Sequence, residues 1–283
     1  MNFGSGPLSH PLIVKAAETE FVPVAVYNNV KGPDEDVLKA FKEPAWNNPV
    51  LRFLDAEKAD LIPRQENVYS PDIVVLRMIA ALEAAKKPVP EYLSKASRGE
   101  AAKSAKATFA MECYWEGEAK FGSLAGVIAT RIGMLQGKEA VEVTYDEELI
   151  DYSKLVAVAK KFDCTHRVFA RTDAELKIAR GLVGDKAVKS DEKLDDSTQQ
   201  QYHLAQIPKY HFLPLTAFQA TKVNACLAFR VDPEPFLAAD QREIFKRFDK
   251  VTDAEYKSIK ALKPLRTDDG RKAYAKDLKA VLK

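Results

Sequence analysis

The chain of 283 residues is long for a single hydrophobic core, so two or three modest domains are expected. With 46% hydrophobic and 30% charged residues and a formal charge of +2, it has the apolar material for a real core but no excess of positive charge for a polyanion, which sets nucleic acid aside. No apolar run approaches membrane-spanning length and the N-terminus lacks the basic-then-apolar pattern of a secretory signal, so a soluble, cytoplasmic protein without a membrane partner is expected.

Residues 1–93 read as α/β. Residues 12–19 are helix-like, FVPVAVYNN (21–29) is expected as a buried strand ending in turn residues, and DEDVLKAFK starts with acids as helices do. VLRFLD and DLIPR follow as strands. Ser70 then caps a helix with Pro71 in its first turn and Ile73, Leu76, Ile79, Ala80 and Leu82 as its apolar face. That order, with Pro49 directly before a strand, resembles the later part of a thioredoxin-like domain, of the kind found in bacterial thioredoxin-like proteins and selenoproteins. The resemblance places Pro49 where that family keeps a cis-proline. It also implies that the first strand and the CxxC-type motif would lie upstream of Met1, or that the domain is a scaffold without them.

Two polar stretches, residues 94–106 and 184–201, read as linkers. Between them, residues 107–172 give strand, helix, strand, strand, helix, strand: KATFAM, CYWEGEAKFGSL, GVIATRIGM, EAVEVTYD, DYSKLVAVAKKF and HRVFAR. This is the ferredoxin-like βαββαβ unit, so the chain as a whole is expected to combine α/β and α+β parts with a helical C-terminal region. In the strand order 4-1-3-2, the end of the first strand and the starts of the third and fourth share one rim of the sheet. Cys113, Glu139, Cys164 and His166 are thereby expected at that rim. Cys113 also begins a helix, where unsatisfied N–H groups and the helix dipole favour a thiolate, and Glu139 is a candidate proton donor.

CYWEGEAKFGSLAGVIATRIGMLQGKEAVEVTYD (113–146) resembles the peptide-methionine sulfoxide reductase A family. On that resemblance Cys113 is the sulfur that attacks the sulfoxide, Tyr114 and Trp115 hold the substrate methyl group, and Glu139 protonates the oxygen. The implied partners are a methionine sulfoxide peptide or small sulfoxide and a thioredoxin-type reductant, with no cofactor. Cys164 is the natural resolving thiol, condensing with a sulfenic acid on Cys113. The sequence departs from the family at Glu112 and Glu116, which replace glycines and add negative charge beside the thiol, and at Met134, which stands in place of an oxygen-binding tyrosine. Tyr210 and His211 are candidates to replace that grip on the oxygen. Two other readings use the same residues: a non-catalytic interaction module, and a soft-metal site on Cys113, Cys164 and His166.

Residues 173–283 are expected to be a linker and helices. A helix from Thr216 buries Ala217, Ala220, Val223, Leu227 and Cys226, and two short amphipathic helices follow in FLAADQREIFKRF and DAEYKSIKALKPL.

Overall fold

The structure, a computed structural model, describes residues 3–4, 6–46, 49–264 and 268–282. It is a mixed α/β fold in two compact units, Met1–Ser97 and Arg98–Lys283.

In the first unit, proline at the first helical position opens three helices, because its fixed φ suits the helix and its missing N–H is one that has no intrahelical partner anyway. These are α1 (Pro11–Glu20), α2 (Pro33–Ala40) and α3 (Pro71–Ala84); α4 (Glu91–Arg98) closes the unit. The buried face of α3 is Val74, Val75, Met78, Ala81 and Leu82, together with Ile73, rather than the set centred on Leu76 and Ile79. Both faces of this helix are apolar at helical spacing, so periodicity alone does not select between them.

The strands of this unit differ more from expectation. Residues 22–27 form neither helix nor strand and 28–29 a turn, among the described residues no strand pairs with them, and Val22 and Val24 are 89% and 78% exposed. An apolar segment with no ladder partner has no sheet to be buried in. Of VLRFLD, β1 (Val50–Leu51) pairs with β2 (Gln65–Glu66) and Leu54 forms a single bridge with Asp60 of DLIPR. Here Glu43 holds the turn together, accepting from Arg52 at 2.8 Å and Arg64 at 2.6 Å. The peptide bond into Pro49 lies outside the described residues.

The second unit is built on β3 (Ser104–Ala110), α5 (Tyr114–Gly122), β4 (Val127–Leu135), β5 (Lys138–Asp146), α6 (Tyr152–Lys161) and β6 (Arg167–Ala170). Alternation sends Ala107 and Phe109 of β3 and Val141, Val143 and Tyr145 of β5 to one face. There they are buried with Phe121, Leu155, Val156 and Ala159 from the two helices. The strand order β6-β3-β5-β4 is the 4-1-3-2 arrangement of a ferredoxin-like unit. Asp151 caps α6 by accepting from the Lys154 N–H.

The stretch expected as a second linker is part of this sheet. After α7 (Asp173–Val183), β7 (Ala187–Lys189) pairs parallel with β6, and β8 (Asp195–Asp196) pairs with β4, so the sheet has six strands. Short helices α8 (Tyr202–Ala205) and α9 (Pro208–His211) lead to α10 (Ala217–Ala228), whose start carries a Thr216–Gln219 capping box. Along α10 the buried residues are Phe218 and residues 220–225, whereas Ala217 is exposed and Cys226 and Leu227 are half-buried. Helices α11 (Ala239–Arg247) and α12 (Asp253–Ala261) match the two amphipathic segments, and α13 (Asp268–Val281) adds a third.

Candidate active site

The register of the sheet brings the end of β3 beside the starts of β5 and β6: Ala110 stands opposite both Ala140 and Arg167. The Met111 N–H donates to the Glu139 carbonyl at 3.0 Å and the His166 N–H to the Ala110 carbonyl at 2.9 Å, which extends the ladder past the strand ends. Beyond this rim the chain turns into α5.

Cys113 is the N-cap residue of α5, half-buried, with extended backbone and no side-chain capping bond. The acceptor for the first helical N–H comes instead from Glu139, whose Oε2 takes the Tyr114 N–H at 2.8 Å. A carboxyl is thus fixed at the helix end that also carries the sulfur. Met134 lies opposite Glu139 in the β4–β5 register and is 41% exposed, so it projects from the same side of the rim. Gly117 lets α5 lie this close to the sheet, since a Cβ there would collide with the Met111 sulfur.

Tyr114 and Trp115 pack against the edge of the core with ring centroids 5.8 Å apart, tilted by 46°. The Tyr114 hydroxyl reaches Ser197 Oγ at 3.2 Å, and the Trp115 indole is stacked on Tyr202 at 4.1 Å and 14°. Nothing in the composition of residues 197–202 advertised this. The one available signal was a run of glutamines ending in an aromatic, STQQQY, where a free linker would more often carry glycine or proline.

Cys164 is 3% exposed inside the same core cluster, and burial pushes its thiol up to about 11. Its sulfur lies 3.6 Å from the Phe162 carbonyl, and its charged neighbours are Lys120 and Glu116 of α5. His166 is exposed. Tyr210 stacks on Phe245 at 4.7 Å with Cys226, Asp232 and Glu234 nearby, and His211 packs edge-on against Phe212. Among the described residues no group of three or more His, Cys, Asp or Glu side chains is placed to hold a metal.

The acid that the sequence did not single out is Glu118, in the second turn of α5. It is fully buried, and desolvation raises its carboxyl to about 7 even though three donors favour the charged form: the backbone N–H groups of Gln201 and Tyr202 and the Asn224 amide. Lys222, also buried, donates to the Leu124 carbonyl at 2.7 Å beyond the other end of α5. Helix α10 and the 197–204 segment therefore grip the cysteine-bearing helix along its length.

No protein-family model matches the chain. Peptide methionine sulfoxide reductase A5 of Oryza sativa subsp. japonica is 41% identical over 78 residues, 22% of this chain and 31% of that protein. Peptide methionine sulfoxide reductase MsrA 1 of a Nostoc species is 33% identical over 70 residues, 19% of this chain and 43% of that protein. The chain thus spans less than half the length of each of these relatives.

Proposed function

We propose that the chain is a thiol-dependent oxidoreductase that reduces a methionine sulfoxide or similar methyl sulfoxide at Cys113. The observation that carries this is the pairing of Cys113, at the N-cap of α5, with the Glu139 carboxyl on the adjacent N–H. Partial similarity to two curated peptide methionine sulfoxide reductases supports the same chemistry.

In the proposed step the Cys113 thiolate attacks the sulfoxide sulfur while a proton from Glu139 goes to the sulfoxide oxygen. The S–S bond so formed and the substrate S–O bond then break as the hydroxyl passes to the Cys113 sulfur, so that the thioether leaves with two more electrons on its sulfur and Cys113 becomes a sulfenic acid. The positive end of the α5 dipole stabilises the attacking anion. Tyr114 and Trp115 supply the apolar slot for the methyl group. A second thiol then attacks the sulfenic sulfur and expels water. Cys164 fills that role in the same compact unit, its burial making the step slow at neutral pH, and a dithiol reductant of the thioredoxin type restores both thiols.

The test is turnover of a methionine-sulfoxide peptide with dithiothreitol. Cys113→Ser should abolish it and Glu139→Gln should lower kcat roughly 100-fold or more, the range for a lost general acid. Equal rates in folded wild type and Cys113→Ser defeat the proposal. Without reductant, one sulfoxide equivalent should remove two thiols as a Cys113–Cys164 disulfide, seen by mass spectrometry, at a rate rising with pH toward about 11.

A further inference from the structure

A four-residue helix cannot sustain itself, because its first N–H groups have no partners within it. In α8 those groups are satisfied from outside. The Glu118 carboxyl accepts from the Gln201 N–H at 3.1 Å and the Tyr202 N–H at 3.4 Å, and Asn224 accepts from the Leu204 N–H at 3.0 Å while donating to Glu118 at 3.3 Å. Gln201 takes a left-handed conformation, φ 53°, in which two successive N–H groups converge on one carboxyl. Glu118 and Asn224 are both 0% exposed. This is a built anchor, and what it places is the Tyr202 ring, face to face with Trp115.

Trp115 has no other polar tether. Its Nε1 is buried and without a hydrogen-bond partner among the described residues, so no hydrogen bond sets the plane of the indole, which rests on apolar packing and ring contacts. Tyr202 is stacked on one face of it, and the Tyr114 ring lies tilted against it at 5.8 Å. We propose that Tyr202 is a specificity-determining positioning residue, fixing the indole of Trp115 so that the apolar wall Trp115 forms with Tyr114 next to Cys113 favours a methyl sulfoxide over larger alkyl groups, and that Glu118 and Asn224 hold Tyr202 in place. This deepens, and rests on, the assignment of Cys113 as the attacking sulfur.

One methylene in an apolar pocket changes discrimination by roughly 10- to 200-fold. The experiment compares kcat/KM for peptides carrying methionine sulfoxide and ethionine sulfoxide, with folding checked by circular dichroism. Wild type should favour the methyl substrate at least tenfold. Tyr202→Ala should bring the ratio to within threefold, chiefly by raising KM for the methyl substrate, and Tyr202→Phe, which keeps the stacking face, should restore it. Asn224→Ala removes the anchor without touching either ring and should shift the ratio in the same direction, so the test stands even if Tyr202→Ala misfolds. In a Trp46→Phe background, where Trp115 is the remaining tryptophan, its fluorescence should change in both alanine variants and not in Tyr202→Phe. A methyl preference unchanged in folded Tyr202→Ala or Asn224→Ala overturns the inference while leaving the reductase assignment intact. Failure of wild type to turn over either peptide overturns both.

Discussion

Glu118 shows how one side chain can be read in opposite ways from sequence and from structure. Within EGEAK it looks like one more acid on a solvated helix face, and its three partners lie 83, 84 and 106 residues away. No local pattern could connect them. Cys113 and Glu139 were easier to locate, because strand alternation and a helix start fix both positions from nearby residues. Burial of Glu118 also has a pH signature. Its carboxyl sits at about 7 in the folded state against an ordinary value of 4.5, so its protonated form contributes stability that is fully present below about pH 4.5 and is lost as the pH rises through about 7. The linked free energy is about 3 kcal/mol. Glu118→Gln should therefore remove a slope: the stability of wild type minus that of the variant, from urea unfolding at a series of pH values, should fall by about this amount between pH 4.5 and 8. A difference that does not vary with pH would contradict the assignment.

Among the elements, β4 shows how a sheet edge is closed without a full strand. β8 pairs with only Gly133 and Met134. Next along, the Gln200 side-chain amide imitates a strand: its Nε2 donates to the Ile132 carbonyl at 2.6 Å and its Oε1 accepts the Ile132 N–H at 2.9 Å. Further on, the Thr130 N–H reaches Thr221 Oγ1 at 3.4 Å. A carboxamide carries the same donor and acceptor pair as a peptide group, which explains why a glutamine-rich stretch that reads as a linker is drawn onto the sheet. Gln200→Ala leaves the Ile132 N–H without this acceptor, while the Ile132 carbonyl keeps the Ser197 N–H at 3.0 Å, and should cost about 1–3 kcal/mol in denaturant unfolding, with faster amide exchange at Ile132. Protection at Ile132 equal to wild type would mean the amide is not its partner. Strands β3, β4 and β5 and helices α5 and α6 of the βαββαβ unit were legible because each runs seven residues or more with a period, and the four-residue β6 because it follows them as an apolar run. Strands β7 and β8, of three and two residues, are too short to leave a period.

At the scale of the molecule, the two units differ in what makes them foldable. Arg98–Lys283 contains all three cysteines and the whole of the candidate site, on a six-stranded sheet with a helical layer. Met1–Ser97 is helices around a two-stranded sheet, and its expected principal strand stands outside any ladder. The sequence pattern there was a correct guide to the turn at its end and a poor guide to pairing and burial, since burial depends on a pairing partner that periodicity cannot supply.

That segment, unpaired among the described residues, bears on self-association. From Phe21 to Tyr27 every side chain is apolar or aromatic, and the interruption is Pro23, exposed and lacking an N–H to offer a neighbouring chain. Pro23 acts as a gatekeeper: Pro23→Val would turn the segment into seven consecutive residues able to stack in cross-β register, and light scattering on storage should rise with concentration in that variant and stay flat in wild type.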